Sequence, residues 1–443
     1  MKSLFFLVIS IFIVSACFTQ VDTSTLLKIE NCNDLTLRDE RTYDFSFLKN
    51  ALADKQYVFL GERDHGDGET LLAKVKMIKY LHENLGFDVL ISEDGIYETY
   101  KASNIIIERR DSSVGVLSCL KYLDCNTIGK HDIYLGKYID SCLDKKTLII
   151  SGLDIFDNET FENDFADKLK SLLYKLHYDF DNKDNSFYYQ NFFSSNTFKT
   201  AKDEKKFYKN RTKNFVQSSG DSLISFINKA MIRDSNLVDS LTCTYFIRFI
   251  ESRKAVDKDL SISLVNENDS VKFFNYRDTV MSENLKFLLN GPFKNKKVII
   301  STATAHMTRN IEDYYVNKKF NEYKNMIVHL DSEILKKSYS LAFLTYKGRS
   351  GVPGAIVFNY EKPLLSRPIT SLEYFLSRKY DYCYLDCNKN KEYKCFLEAK
   401  SITPILDYSY KLKWFSMYDG IFFIKHMKPL EISYMLERTG KKF

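Results

Sequence analysis

The stretch YVFLGERDHGDGETLLAKVKMIKYLHENLGFDVLISED, residues 57–94, decides the fold class. Tyr57-Val58-Phe59-Leu60 is a short apolar run of residue types that suit a buried pleated surface, and Gly61 reads as its stop. The loop that follows carries Glu62, Asp64, His65 and Asp67 between glycines. Leu71, Leu72, Val75, Ile78 and Leu81 then recur at helical spacing, and Gly86 after Asn84-Leu85 ends the helix. Phe87–Ile91 is a second apolar run, closing on Ser92-Glu93-Asp94. A strand–helix–strand unit joins parallel strands. Glu62, His65 and Glu93 should therefore emerge at one edge of a sheet, the carboxyl edge at which open α/β sheets bind ligands.

Working outward, Thr147–Ile150 reads as a third buried strand, ending in Ser151-Gly152-Leu153-Asp154. Lys297–Ile300 is a fourth, followed by Ser301-Thr302-Ala303-Thr304-Ala305-His306. Helices are expected at Phe45–Ala53, Tyr97–Arg110 and His131–Leu143, and one opening at Arg277 with Val280, Leu285, Leu288 and Leu289 on its apolar face. No comparable strand lies between Asn158 and Asn268; Leu169, Leu172, Leu173, Leu176, Leu223, Ile224, Ile227 and Met231 give helices instead. That region is a helical insertion, either a cap or lid over the site or a purely structural subdomain. Short apolar runs after Met326 can complete the sheet on one side. The expectation is an α/β fold with a largely parallel central sheet flanked by helices. Its parts are a signal peptide (1–16), a tether (17–42), the N-terminal half of the α/β domain (43–157), the insertion (158–268) and the C-terminal half (269–443).

A composition 44% hydrophobic and 28% charged over 443 residues belongs to a folded protein rather than a disordered one. Lysines and acids are interleaved, and the net charge of +6 is small for the length, so no nucleic-acid stripe is expected. Lys2 precedes the apolar run Leu4–Val14, which has the form of a secretory signal. Val14-Ser15-Ala16-Cys17 reads as a lipobox, with Cys17 lipidated and the protein anchored to a membrane of the cell envelope, facing periplasm or exterior. Ordinary cleavage after Ala16 is the alternative. The cysteines Cys383, Cys387 and Cys395 lack the CxxC and histidine partners of a zinc site, which leaves a disulfide or buried thiols.

Each polar residue at a strand end is weak evidence alone. Acid and imidazole types recurring at four strand ends, as Glu62/His65, Glu93, Asp154 and His306, mark a functional cleft. His82, His131, His177, His329 and His426 read as structural. GxSxG, HExxH, GxxxxGK[ST] and GxGxxG are absent, which excludes nucleophile-elbow hydrolases, zincins, P-loop enzymes and dinucleotide binding; no cofactor is expected. Two chemistries remain: a histidine base acting on water beside carboxylates, or a metal held by two histidines and two carboxylates.

Gly61-Glu62-x-x-His65-Gly66, then a helix and Glu93 after the next strand, resembles the start of the erythromycin-esterase-like family. The resemblance extends to Gly152-Leu153-Asp154, Arg277-Asp278-x-x-Met281-x-x-Asn284, the strand ending at His306, and Tyr418-Asp419-Gly420-Ile421-Phe422-Phe423. It implies hydrolysis of a small-molecule carboxylic ester or lactone, with His65 activating water, Glu62 and Glu93 orienting it, and His306 lining the cleft. Lys74 and Asp154 would contact substrate. Arg277 would either stabilise charge on the substrate oxygen or fix the helix start through a salt bridge. Where the family commonly carries His-Asn-Ala-His, this chain has Ala303-Thr304-Ala305-His306, so a substrate other than a macrolide is expected. The alternatives on the same scaffold are a metal-dependent hydrolase using Glu62, His65, Glu93 and His306, and a lipoprotein that binds a haem-type ligand without turnover.

Overall fold

The structure, a computed structural model, describes residues 27–108, 127–142, 148–155, 161–193, 215–234, 238–265, 270–310, 322–351, 361–364, 371–390, 400–403, 408–411 and 414–435. The expected signal peptide and Cys17 lie outside the described residues. Among the described residues no helix is long and apolar enough to cross a membrane.

The strands are β1 (Ile29–Asn31), β2 (Tyr57–Glu62), β3 (Phe87–Gly95), β4 (Thr127–Gly129), β5 (Ile149–Asp154), β6 (Lys297–Ala303), β7 (Ser338–Gly351), β8 (Glu361–Pro363), β9 (Tyr382–Asp386), β10 (Lys400–Thr403), β11 (Tyr408–Lys411), β12 (Gly420–Met427) and β13 (Ile432–Met435). The main sheet runs β1-β9-β12-β7-β2-β6-β3-β5, with β8 paired to β7. From β12 to β5 every pairing is parallel; β9, β1 and β8 attach antiparallel. The fold is thus α/β with a mostly parallel sheet, and the residues after 326 complete it on one side. β10 pairs β11, and β13 pairs β4, as separate two-stranded ribbons.

Side chains alternate between the two faces of a strand, and this divides the core in two. Tyr57, Phe59, Val89, Ile91, Val298 and Ile300 face one apolar cluster; Val58, Leu60, Phe87, Leu90 and Ile299 face the other. Helices α1 (Phe47–Ala51), α2 (Gly68–Leu85), α3 (Ile96–Glu108) and α4 (Lys130–Cys142) follow in the N-terminal half. Leu48, Leu72, Met77, Leu81 and Ile139 from α1, α2 and α4 fill the second cluster. The insertion supplies α5 (Phe161–Lys175), α6 (Lys183–Phe193), α7 (Phe215–Arg233) and α8 (Ser240–Val265), and α9 (Ser270–Asn290) returns the chain to the sheet. Leu169, Phe192, Leu223 and Phe249 of the insertion belong to the first cluster together with the strand residues. Tyr97 meets Phe165 at 5.1 Å and Phe249 at 5.0 Å between ring centroids. The insertion is therefore part of the layer on one face of the sheet and shares its core.

Several boundaries differ from the sequence reading. β2 continues through Gly61 to Glu62, β3 to Gly95 and β6 to Ala303, because the sheet's hydrogen bonds extend past the apolar runs: Glu62 pairs with Ala303 and Gly95 with Asp154. Gly61 does not stop its strand. A Cβ there would lie 2.6 Å from the Met307 sulfur, so a larger residue would have to displace the end of that side chain. Gly86 ends α2 as expected, at φ 74°. Arg277 does not open a helix but lies inside α9, since Val271 and neighbouring residues already supply helical packing. Residues 27–42 of the expected tether are not free: β1 pairs with β9, and Leu27, Cys32, Leu35 and Leu37 are buried. Cys383 and Cys387 are buried, and Cys395 lies outside the described residues.

Candidate active site

Because β2, β6, β3 and β5 are neighbours, parallel and nearly level, their ends bring together residues up to 244 positions apart, from Glu62 to His306. Glu62, at the last position of β2, is buried. Its Oε1 meets His65 Nδ1 at 3.0 Å, and its Oε2 accepts a hydrogen bond from the buried ammonium of Lys74 in α2. Burial alone would raise the Glu62 carboxyl, but Lys74 and then His65 hold it down at about 2.

Glu93 joins the two halves of the site. Its Oε2 accepts from Thr302 Oγ1 (2.8 Å) and the Ala303 amide (2.7 Å). Its Oε1 accepts from Arg277 Nη2 at 3.0 Å and faces His306 Nε2 at 3.1 Å and His65 Nε2 at 3.9 Å. Burial opposes its ionisation, yet His306, His65 and Arg277 together keep the carboxyl well below the usual range.

His306 stands in the short helix α10 (Thr304–Met307) that caps β6. Thr304 Oγ1 donates to the carbonyls of Gly61 and Glu62 and pins this turn against β2. His306 Nδ1 lies 2.5 Å from Asp278 Oδ1. With a carboxylate on each ring nitrogen, the imidazole is pushed up to about 10: burial lowers it, but Asp278 and Glu93 outweigh that. Asp278, fully buried, also accepts from Tyr323 Oη at 2.6 Å and the Met326 amide at 3.2 Å.

The block Arg277-Asp278-x-x-Met281-x-x-Asn284 is one face of α9 turned to the strand ends. Arg277 grips Asp154 through Nε (2.9 Å) and Nη2 (2.6 Å) as well as Glu93, from within α9 rather than at its start. Met281 is buried in the first apolar cluster. Asn284 Nδ2 donates to the Leu153 carbonyl at 3.0 Å, fastening α9 to β5.

His65 differs from its neighbours in exposure: its side chain is 55% accessible, against 5% for Glu62, 8% for Glu93 and 5% for His306. Burial still lowers its proton affinity, but the Glu62 hydrogen bond and the charge of Glu93 raise the ring to about 9.

The structure thus gathers Glu62, His65, Lys74, Glu93, Asp154, Arg277 and His306 into one cluster. Sequence reasoning left Asp278, Tyr323 and Thr302 out of the site. Asp278 had a signal, since it sits in the quoted block beside Arg277; Tyr323 and Thr302 had none. Lys74 and Asp154 are buried and the Arg277 side chain is 14% accessible, each ion-paired within the cluster. A cleft of about 180 Å³ lies elsewhere, between residues 39–41, α2 and α4, and shares no lining residue with this site.

Glu62, His65 and Glu93 each offer a donor atom, all within 4.8 Å of one another, as a metal site would need. The chemistry of the set fits a resident metal poorly. Both carboxylates are already engaged, Glu62 by Lys74 and Glu93 by Arg277 and His306, so a cation would meet cations.

No family model matches the chain. A curated Bacillus subtilis protein, "Putative hydrolase YbfO", is 28% identical over 320 residues, covering 69% of this chain and 68% of that one. Among solved structures, a Bacillus cereus protein superposes with a TM-score of 0.66 at 18% identity, over 92% of this chain and 96% of the other. A mutant of erythromycin esterase EreC, in its open conformation, does so with a TM-score of 0.62 at 14% identity, over 91% and 98%. The chain therefore has the fold of erythromycin esterase, including its helical insertion, and the resemblance read from the sequence is matched in three dimensions. It is a hydrolase-like scaffold carrying a charged cluster at the carboxyl edge of its sheet.

Proposed function

We propose that the protein hydrolyses a carboxylic ester or lactone, with His65 taking a proton from the attacking water. The observation that carries this reading is the contrast in exposure: one imidazole faces solvent while the side chains of Glu62, Glu93 and His306 around it are 8% accessible or less. In its neutral form His65 donates from Nδ1 to Glu62 Oε1 at 3.0 Å, which leaves the Nε2 lone pair for the water. As the water oxygen bonds to the carbonyl carbon, its proton passes to Nε2. The tetrahedral intermediate then breaks its bond to the alkoxy oxygen, which takes that proton, giving acid and alcohol.

The other residues act on His65 rather than on substrate. Lys74 holds Glu62, and Arg277 with Asp154 holds Glu93. His306, cationic between Asp278 and Glu93, limits how strongly Glu93 draws the proton onto His65. Because the Glu62 hydrogen bond and the Glu93 charge raise the ring to about 9, the neutral form of His65 grows as pH rises, and turnover should climb with pH toward that midpoint.

A panel of p-nitrophenyl esters and macrocyclic lactones, assayed with the wild type and His65→Ala, tests the proposal; equal hydrolysis by both would end it. Membrane anchoring through Cys17 belongs to the same proposal. Labelling with a fatty-acid analogue should mark the wild type and not Cys17→Ser.

A further inference from the structure

The loop that carries His65 is held by elements the hydrolase reading does not use. Arg63 and Asp67 flank His65 and form a bidentate ion pair, Nε to Oδ2 at 2.9 Å and Nη2 to Oδ1 at 2.8 Å, with Asp67 fully buried and Arg63 9% exposed. Asp67 stands at the N-cap of α2 without bonding the helix through its side chain, so its carboxylate serves the loop and not the cap. Between them, the Gly66 carbonyl accepts two amides from distant parts of the chain, Gly351 at the end of β7 (2.9 Å) and Leu430 after β12 (2.9 Å). The Gly68 amide donates to the Lys428 carbonyl at 3.0 Å, and Asp67 bridges Pro429.

These crossings are too close for side chains. A Cβ at Gly66 would lie 2.0 Å from the Gly351 oxygen, and one at Gly68 would lie 2.5 Å from the Pro429 oxygen. The segment 428–431 is fastened in turn beyond the loop: Glu431 pairs with Arg38 and with Lys130 (3.2 Å), and its carbonyl accepts the Lys130 amide at 2.9 Å.

We infer that Arg63 and Asp67, with the strap 428–431, are positioning residues for His65. They set the backbone from which an exposed ring, tied by one hydrogen bond to Glu62, must reach its substrate. This rests on the hydrolase reading for its effect on turnover, but not for its effect on the loop. A misplacement of about 1 Å at a reacting group can cost about 10²-fold in rate.

The test uses the full chain and the double variant Arg63→Met/Asp67→Leu. Replacing both partners by apolar residues of similar size avoids leaving one charge buried alone, so the fold should persist. Amide hydrogen exchange at Gly351 and Leu430 should accelerate at least tenfold, with exchange in β2, β3 and β6 unchanged. On an ester substrate of the wild type, kcat should fall by about 10²-fold while KM moves little. Arg63→Lys, which keeps the charge but loses the fork, should recover part of both effects. Wild-type exchange rates at Gly351 and Leu430 in the double variant would overturn the inference, as would full kcat. Absence of ester turnover in the wild type would instead fail the hydrolase reading, and the exchange measurement would still decide the clamp.

Discussion

The two histidines of the site occupy opposite ends of it. His306 is 5% accessible, with a carboxylate on each nitrogen and Tyr323 and the Met326 amide bracing Asp278 behind it. His65 is 55% accessible, with one carboxylate in hydrogen-bonding range and a second at 3.9 Å. Both rings are pushed above the ordinary imidazole value by acids. Only the second is open to solvent. The same side chain sits in two environments: carboxylates enclose the first, and solvent reaches the second.

The comparison breaks most directly by removing each ring. His65→Ala should lower ester turnover by about 10²–10⁴-fold and cost less stability than loss of His306, since the ring is 55% accessible and solvent screens its ion pairs. His306→Ala should behave the opposite way in unfolding experiments. It leaves Glu93 and Asp278 buried without their shared cation, a loss of about 3–5 kcal/mol measured by chemical denaturation. Matching stability losses in the two variants would erase the distinction.

Stability against pH sharpens it further. The folded His306 binds its proton more tightly than the unfolded chain does, so its contribution is complete below about 6.5 and disappears as pH rises through about 10. Glu62 works in the other direction: its contribution is present above about 4.5 and is lost as pH falls through about 2. Thermal melts from pH 6 to 10 should show a decline that His306→Ala makes shallower, the remainder coming from His65, whose ring is also raised in the folded chain. In the same interval ester kcat/KM should rise to a midpoint near 9, so activity and stability diverge. The smallest expected effect is at Tyr323. Phenylalanine there removes one hydrogen bond to a buried carboxylate, about 1.5–3 kcal/mol of stability, with turnover little changed.

Much of this architecture is legible in residues 57–94 alone. The switch from a four-residue apolar run to 3.6-residue spacing and back fixes a parallel strand pair, and so places Glu62, His65 and Glu93 at one edge. Asp154 and His306 follow by the same rule, as polar groups just past apolar runs. The limits of that rule also show. Strand ends were read where hydrophobicity stops, at Leu60, Ile91 and Ile300, whereas the ladders continue to Glu62, Gly95 and Ala303. Hydrogen bonding between backbones does not require apolar side chains. Glycine often ends a strand, but Gly61 lies inside β2, packed against the end of Met307, a neighbour 246 residues away.

The flanking helices, the parallel run of the strands and the chemical groups at the sheet edge follow from local periodicity and from strand–helix–strand connections, whereas the strand order, with β6 between β2 and β3, does not. Tertiary structure alone decided what each group does there. Lys74 faces Glu62, Arg277 divides itself between Asp154 and Glu93, and Asp278 and Tyr323 close around His306. Proton affinity depends on distances of a few ångströms to charges and on how much water remains, and neither is written in the spacing of residues along a chain.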